Sequence, residues 1–188
     1  VETGGKVVNR FCGSSMDSVH QLSQAILAGD IDAGIGAGVE DMFSVPMGGF
    51  NPSFHPDLYE KELYIGMGDT AEILAKDLDI SRGDQETFAI HSHEKALAAI
   101  AAGHFENEII PVEINGNTVS RDEGPRTPDV DKIKSLDPAF DADGSITAAT
   151  SSPISVGAAA AIIMAGDKAE ELGIRVLVFM DVLYSGPN

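Results

Sequence analysis

One residue in this chain carries the chemistry of a strong nucleophile. Cys12 is the only cysteine among 188 residues, and Gly13-Ser14-Ser15 follow it at the start of a predicted helix. A thiol becomes nucleophilic by losing its proton, and the N–H groups and macrodipole of a helix N-terminus stabilise the thiolate that results. The glycine leaves little bulk above the sulfur. Such a sulfur is suited to attack on a carbonyl. The competing role is that of many free cysteines, a small buried hydrophobe. Spacing alone leaves both open.

A nucleophile of this kind needs a base, and five histidines are the candidates. His20 lies eight residues along the same predicted helix, about 12 Å away at the helical rise and beyond hydrogen-bond reach. His91 and His93 are two apart on another predicted helix, so they face different ways and make a poor metal pair. Both are expected to be solvated or loosely packed. His55 and His104 stand in no recognisable pattern, and no metal site is expected.

The elements that must position Cys12 follow from periodicity. "KVVN" (Lys6 to Asn9) predicts a short strand entering a turn at Arg10–Gly13. Met16, Val19, Leu22 and Ile26 then recur at helical spacing, and Gly29 suits a left-handed C-cap. "AGIGAGVEDM", Ala33 to Met42, predicts a buried strand running into a turn, so the order is that of a βαβ unit. From Phe43 the texture changes to Pro, Gly and aromatics without period. A short helix is expected around Ala71–Leu78. Ser81 with Asp84 resembles a capping box that opens a longer helix closed by Gly103. "IIPVEI" predicts a strand and "NGN" a turn, and one short helix fits within Arg121–Ala139. "GSITAATSSPISVGAAAAIIMAG" returns to small buried residues. The fold class is α/β, with residues 1–42 and 144–188 forming a core that an inserted segment, 43–143, interrupts.

Bulk properties narrow the partners. A net charge of −18 excludes a general nucleic-acid binder, which needs a basic footprint. No run long enough to span a membrane is present. A single cysteine allows no internal disulfide, and the expected setting is the cytoplasm or another reducing compartment.

Four segments, in one order, carry a resemblance. "VNRFCGSSM" followed by "GAGVEDMFSVPM" resembles the nucleophile region of the thiolases, the acyl-CoA C-acyltransferases. "GMGDTAEILAKDLDISRGDQETFAIHSHEKALAAIAAGHFENEIIPV" resembles their loop-domain segment. "DEGPR" and "LDPAFDADGSITAATSSPISVGAAAA" resemble the stretch that returns to the core. The likeness covers nearly all of Val8 to Met164. It implies a partial thiolase-like layered α/β core with an inserted loop domain. It also implies exchange of a 3-ketoacyl-CoA plus CoA with acyl-CoA plus acetyl-CoA, through a thioester on Cys12.

By the same resemblance Ser152 lies against the pantetheine arm of CoA, Arg126 approaches its nucleotide end, and Met67 matches an apolar residue near the substrate pocket. Coenzyme A and acyl-CoA are then substrates, no cofactor is permanently bound, and the protein is a homo-oligomer, a dimer or tetramer. Gly66 stands where the family often has histidine, Val156 replaces a common Asp, and Ala149 a common glycine. The family's "NEAF", "GHP" and "CxGG" motifs, which bring an Asn, the activating His and a second Cys, are not found in these residues. The chain is therefore expected to be a fragment that acylates without full turnover. Two alternatives stand beside this: a non-catalytic CoA-thioester-binding or assembly module, and a ketoacyl-synthase-type condensing enzyme.

Overall fold

The computed structural model describes residues 3–46 and 48–179. In chain order its elements are α1 (Ser14–Leu27), β1 (Ala33–Asp41), α2 (Pro56–Tyr59), α3 (Met67–Asp77) and α4 (Arg82–Ala101), then the short strands β2 (Val112–Ile114) and β3 (Asn117–Val119). They end with α5 (Val130–Lys134), β4 (Val156–Met164) and α6 (Gly166–Glu171). The chain divides into two units, 1–50 with 155–188 and 51–154.

In the first unit β1 pairs antiparallel with β4, from Ala33↔Met164 to Asp41↔Val156. Opposed residues share a face, so Ile35, Ala37 and Val39 lie on one side with Ile162, Ala160 and Ala158. On the other side the strand presents Gly34, Gly36 and Gly38, and there α1 packs with Val19 and Leu22 half-buried. Helix α1 ends as its sequence predicts. Gly29 adopts φ +78°, its N–H donates to Ile26, and the Asp30 N–H reaches the Ala25 carbonyl at 2.9 Å. Just past β1, Asp41 accepts from the backbone N–H groups of Ser44 and Phe43 at 2.9 and 3.0 Å. The Ser44 N–H first, then the Ser44 hydroxyl and the Phe43 N–H, hold this carboxyl below the usual range.

One expected element is absent. Lys6–Asn9 forms no strand; Arg10 and Cys12 share only an isolated bridge. A strand needs a neighbour for its alternate N–H and C=O groups, and among the described residues β1 takes β4 as its partner instead. The predicted βαβ order is therefore replaced by an antiparallel pair with α1 on one face.

The second unit is mainly helical. Ser81 caps α4: its Oγ accepts from the Asp84 N–H at 3.1 Å and donates to the Asp84 carboxylate at 2.6 Å. The reciprocal arm thus meets the hydroxyl rather than the backbone, a variant of the expected box. Gly103 closes the helix with φ +73°. Arg82 ties α4 to the end of α5, donating to Glu86 at 2.7 Å and to the carbonyls of Leu136 and Lys134 at 2.6 and 3.2 Å. Strands β2 and β3 form a hairpin through Asn115 and Gly116, both at positive φ, as a two-residue turn of right-handed strands requires.

Candidate active site

Cys12 lies at the exit of a tight turn that feeds α1. The N–H groups of Gly13 and Ser14 donate to the carbonyls of Arg10 and Phe11, each at 3.0 Å. The Ser14 hydroxyl accepts from the Arg10 N–H and donates to the Phe11 carbonyl, both at 2.7 Å. To make this turn Phe11 takes φ +49°, a left-handed conformation that costs an ordinary side chain roughly 1–2 kcal/mol. The N-cap is Gly13, with no side-chain hydrogen bond, so no bulky group stands between the cysteine and the helix end. Cys12 is exposed.

The glycine face of β1 sets where this helix end lies. A Cβ at Gly36 would come within 2.9 Å of Val19 Cγ2, and one at Gly38 would collide with the Ser15 side chain in the first turn of α1. Helix and strand therefore approach more closely than alanine allows. The expected strand forms here, but of its residues only Gly36 is buried, and α1 packs on its glycines.

The other three candidates belong to the second unit. Met67 is the first residue of α3, after the N-cap Gly66, and is 73% exposed. Arg126 is exposed, and its backbone N–H donates to His93 Nδ1 at 3.3 Å. Ser152 is exposed just beyond a hydrogen-bonded turn closed by Thr147, Thr150 and Ser151. Among the described residues, neither the Arg126 guanidinium nor the Ser152 hydroxyl has a hydrogen-bond partner within the chain, so both are free to meet a ligand.

Two groups escape the sequence analysis. His93, half-buried as a loosely packed ring is expected to be, also accepts the N–H of Arg126, 33 residues away. Glu72 holds the loop that leads to Ser152. Both contact backbone, which leaves no trace in the spacing of side-chain types. Among the described residues no group of three or more His, Cys, Asp or Glu could hold a metal ion. No helix there is long and apolar enough to cross a membrane.

Solved structures share this fold. The dimeric peroxisomal thiolase of Saccharomyces cerevisiae superposes with a TM-score of 0.81 at 35% identity, covering 90% of this chain and 46% of that one. The acetyl-CoA acetyltransferase of Syntrophomonas wolfei gives 0.79 at 32% identity, covering 93% and 48%. The architecture is thus a partial thiolase-like α/β fold. The family profile described as "Thiolase, N-terminal domain" matches residues 2–167, and the chain belongs to the thiolase family. The 3-ketoacyl-CoA thiolase of Bacillus subtilis (strain 168) is 40% identical over 187 residues, covering 91% of this chain and 48% of that protein. The chain spans about half the length of the curated relatives it matches.

Proposed function

We propose that this chain supplies the acyl-accepting cysteine of a thiolase-type acyl-CoA C-acyltransferase. The observation that carries the reading is Cys12, exposed beside the N-terminus of α1 in a chain of the thiolase family. In the degradative direction the Cys12 thiolate attacks the 3-keto carbonyl of a 3-ketoacyl-CoA. The bond between C2 and C3 breaks, the acyl group stays on sulfur as a thioester, and the C2 carbanion takes a proton to leave as acetyl-CoA. A second CoA then gives up its thiol proton, attacks the thioester and regenerates the thiolate. The relatives' names as 3-ketoacyl-CoA thiolases support this substrate class.

In this reading Ser152 meets the pantetheine arm, Arg126 the nucleotide end and Met67 the acyl group. Arginine suits its task because a planar guanidinium stacks on adenine and pairs with phosphate. Both proton transfers need an acid–base group, and none of the five histidines is assigned to them. Residues outside these 188 supply that group, and the 188 residues alone accept at most one acyl group, its carbanion protonated by solvent, and then stall. Coenzyme A and its thioesters enter as substrates, no resident cofactor is invoked, and the setting is the cytoplasm or another reducing compartment. The protein works as a homo-oligomer, a dimer or tetramer.

The test is intact-mass and peptide-mass analysis after incubation with acetoacetyl-CoA. The expected product is a single acetyl thioester on Cys12, lost in Cys12→Ala, without continued release of acetyl-CoA when CoA is added. An adduct that survives Cys12→Ala would overturn the assignment of the nucleophile. Sustained turnover by the monomeric 188-residue protein would overturn the placement of the acid–base groups.

A further inference from the structure

Glu72 takes no part in the chemistry above, yet its carboxylate binds three donors on one distant loop. From α3 it accepts the N–H of Ser145 at 2.9 Å through Oε2 and the N–H of Ile146 at 2.8 Å through Oε1. Oε1 also lies 3.1 Å from the Ser145 nitrogen, and Oε2 accepts the Ser145 hydroxyl at 3.3 Å. Hydrogen bonds to an ionised acceptor are about twice as strong as neutral ones. The loop is shaped for this group: a Cβ at Gly144 would collide with the Glu72 carboxylate. Gln85, on α4, adds a bond to the Ser145 hydroxyl at 3.0 Å.

Beyond that anchor, the loop is tied at nearly every step. Ile146 and Thr147 are buried, and the Ile146 carbonyl accepts the Ala139 N–H at 2.8 Å. The Thr147 N–H donates to Thr150 Oγ1 at 3.0 Å. The Thr147 carbonyl accepts from the Thr150 N–H at 3.1 Å and from the Ser151 hydroxyl at 2.8 Å. The next residue is Ser152. Glu72 itself sits five residues after Met67 on the same helix.

We propose that Glu72 is a positioning residue: it fixes the Ser145–Ser151 turn against α3, so that Ser152 and Met67 meet a pantetheine thioester in one frame. The proposal rests on the assignment of Ser152 to the pantetheine arm. A tie that served folding alone would act through the folded fraction and leave the folded protein's affinity untouched.

The experiment measures binding of CoA and of S-acetylpantetheine to the full chain by calorimetry, with amide exchange at Ser145 and Ile146 followed in parallel. Glu72→Gln keeps the shape but sets an amide donor against one of the backbone N–H groups. It should speed exchange at both amides and weaken both ligands by roughly tenfold, the sensitivity expected of a bound geometry displaced by a fraction of an ångström. Glu72→Asp, which keeps the charge, should recover part of the affinity and serves if the first variant does not fold. Arg82→Ala loosens the same unit without touching the loop, and should lower the melting temperature with affinity unchanged. Ser152→Ala placed on Glu72→Gln should add little, since coupled groups are non-additive. Unchanged affinity in Glu72→Gln with faster exchange at Ser145 and Ile146 would overturn the proposal, as would full additivity with Ser152→Ala. If Ser152→Ala alone leaves both affinities unchanged, the reading of Ser152 fails instead.

Discussion

At the scale of single residues, the candidate site divides by how each group makes its contacts. Cys12 draws notice as a lone thiol ahead of a predicted helix, but its position alone allows either a nucleophile or a packing residue, and the family resemblance carries the nucleophile reading; in the structure its side chain is exposed. Arg126, Ser152 and Met67 become candidates through the family resemblance alone, since an exposed arginine or a serine in a polar loop is ordinarily just solvated. His93 and Glu72 are invisible at that stage because their partners are backbone N–H groups, 33 and 73 residues away. The His93 contact bears on Arg126 directly. A ring nitrogen accepting the Arg126 N–H holds that stretch of backbone, so the guanidinium starts from a fixed base. Charge reversal by Arg126→Glu should weaken CoA binding about 10- to 100-fold, the worth of a charge-assisted hydrogen bond. A pantetheine thioester, which lacks the nucleotide, should lose far less. Titration calorimetry with both ligands checks this, and equal losses would remove Arg126 from the nucleotide end.

At the scale of elements, the helix ends are the most legible part of the fold. Gly29, Gly103 and Ser81 act where the sequence places them, because caps depend on one or two residues and their own backbone. Strand pairing was not legible in the same way. Nothing within Lys6–Asn9 says that the ladder partner of β1 is β4, some 120 residues later. The glycine face of β1 is intermediate: its alternation is plain in "AGIGAG", but only the packed helix shows what the missing side chains accommodate. Gly38 is the position nearest the chemistry, because it abuts Ser15 in the turn of α1 that follows Cys12. Gly38→Ala would force the helix N-terminus away from β1. The expected cost is roughly 1–3 kcal/mol of stability, the usual penalty for overpacking, together with slower alkylation of Cys12 by iodoacetamide. Denaturant unfolding and a labelling time course measure the two effects. A variant with wild-type stability and labelling would mean that α1 is not held by this contact. Gly4→Ala, with nothing within 4 Å of the new Cβ, is the matched control.

At the scale of the whole chain, the apolar residues outnumber the places that bury them. Hydrophobic residues make up 43% of the sequence, yet among the described residues the only buried hydrophobic side chains are Ala75 and Ile146 in the second unit and Ala169 in the first. The sheet of β1 and β4 is the clearest case. One face receives α1, while on the other Ile35 and Ile162 sit directly opposite each other and remain 68% and 70% exposed. Val39 and Val156 extend the same face and are exposed as well. Met16 on α1 is 79% exposed, while Val19 and Leu22, equally apolar by sequence, are half-buried because glycines face them. Full burial of a large aliphatic side chain is worth about 1.5–3 kcal/mol, so a few uncovered ones rival a domain's net stability of roughly 5–15 kcal/mol. This face should therefore be covered either by the rest of the polypeptide or by another copy of the chain, and the 188-residue protein on its own should associate through it. Replacing both isoleucines, Ile35→Thr with Ile162→Thr, keeps the β-branched shape that strands favour and leaves the strong negative charge unaltered. Light scattering across a concentration series should show association in the wild type and a clear reduction in the double variant. At concentrations low enough to keep both proteins monomeric, its stability should differ from the wild type by no more than about 0.5 kcal/mol, as for other exposed positions. A wild-type protein that stays monomeric and cooperatively folded at high concentration would show that this face needs no cover.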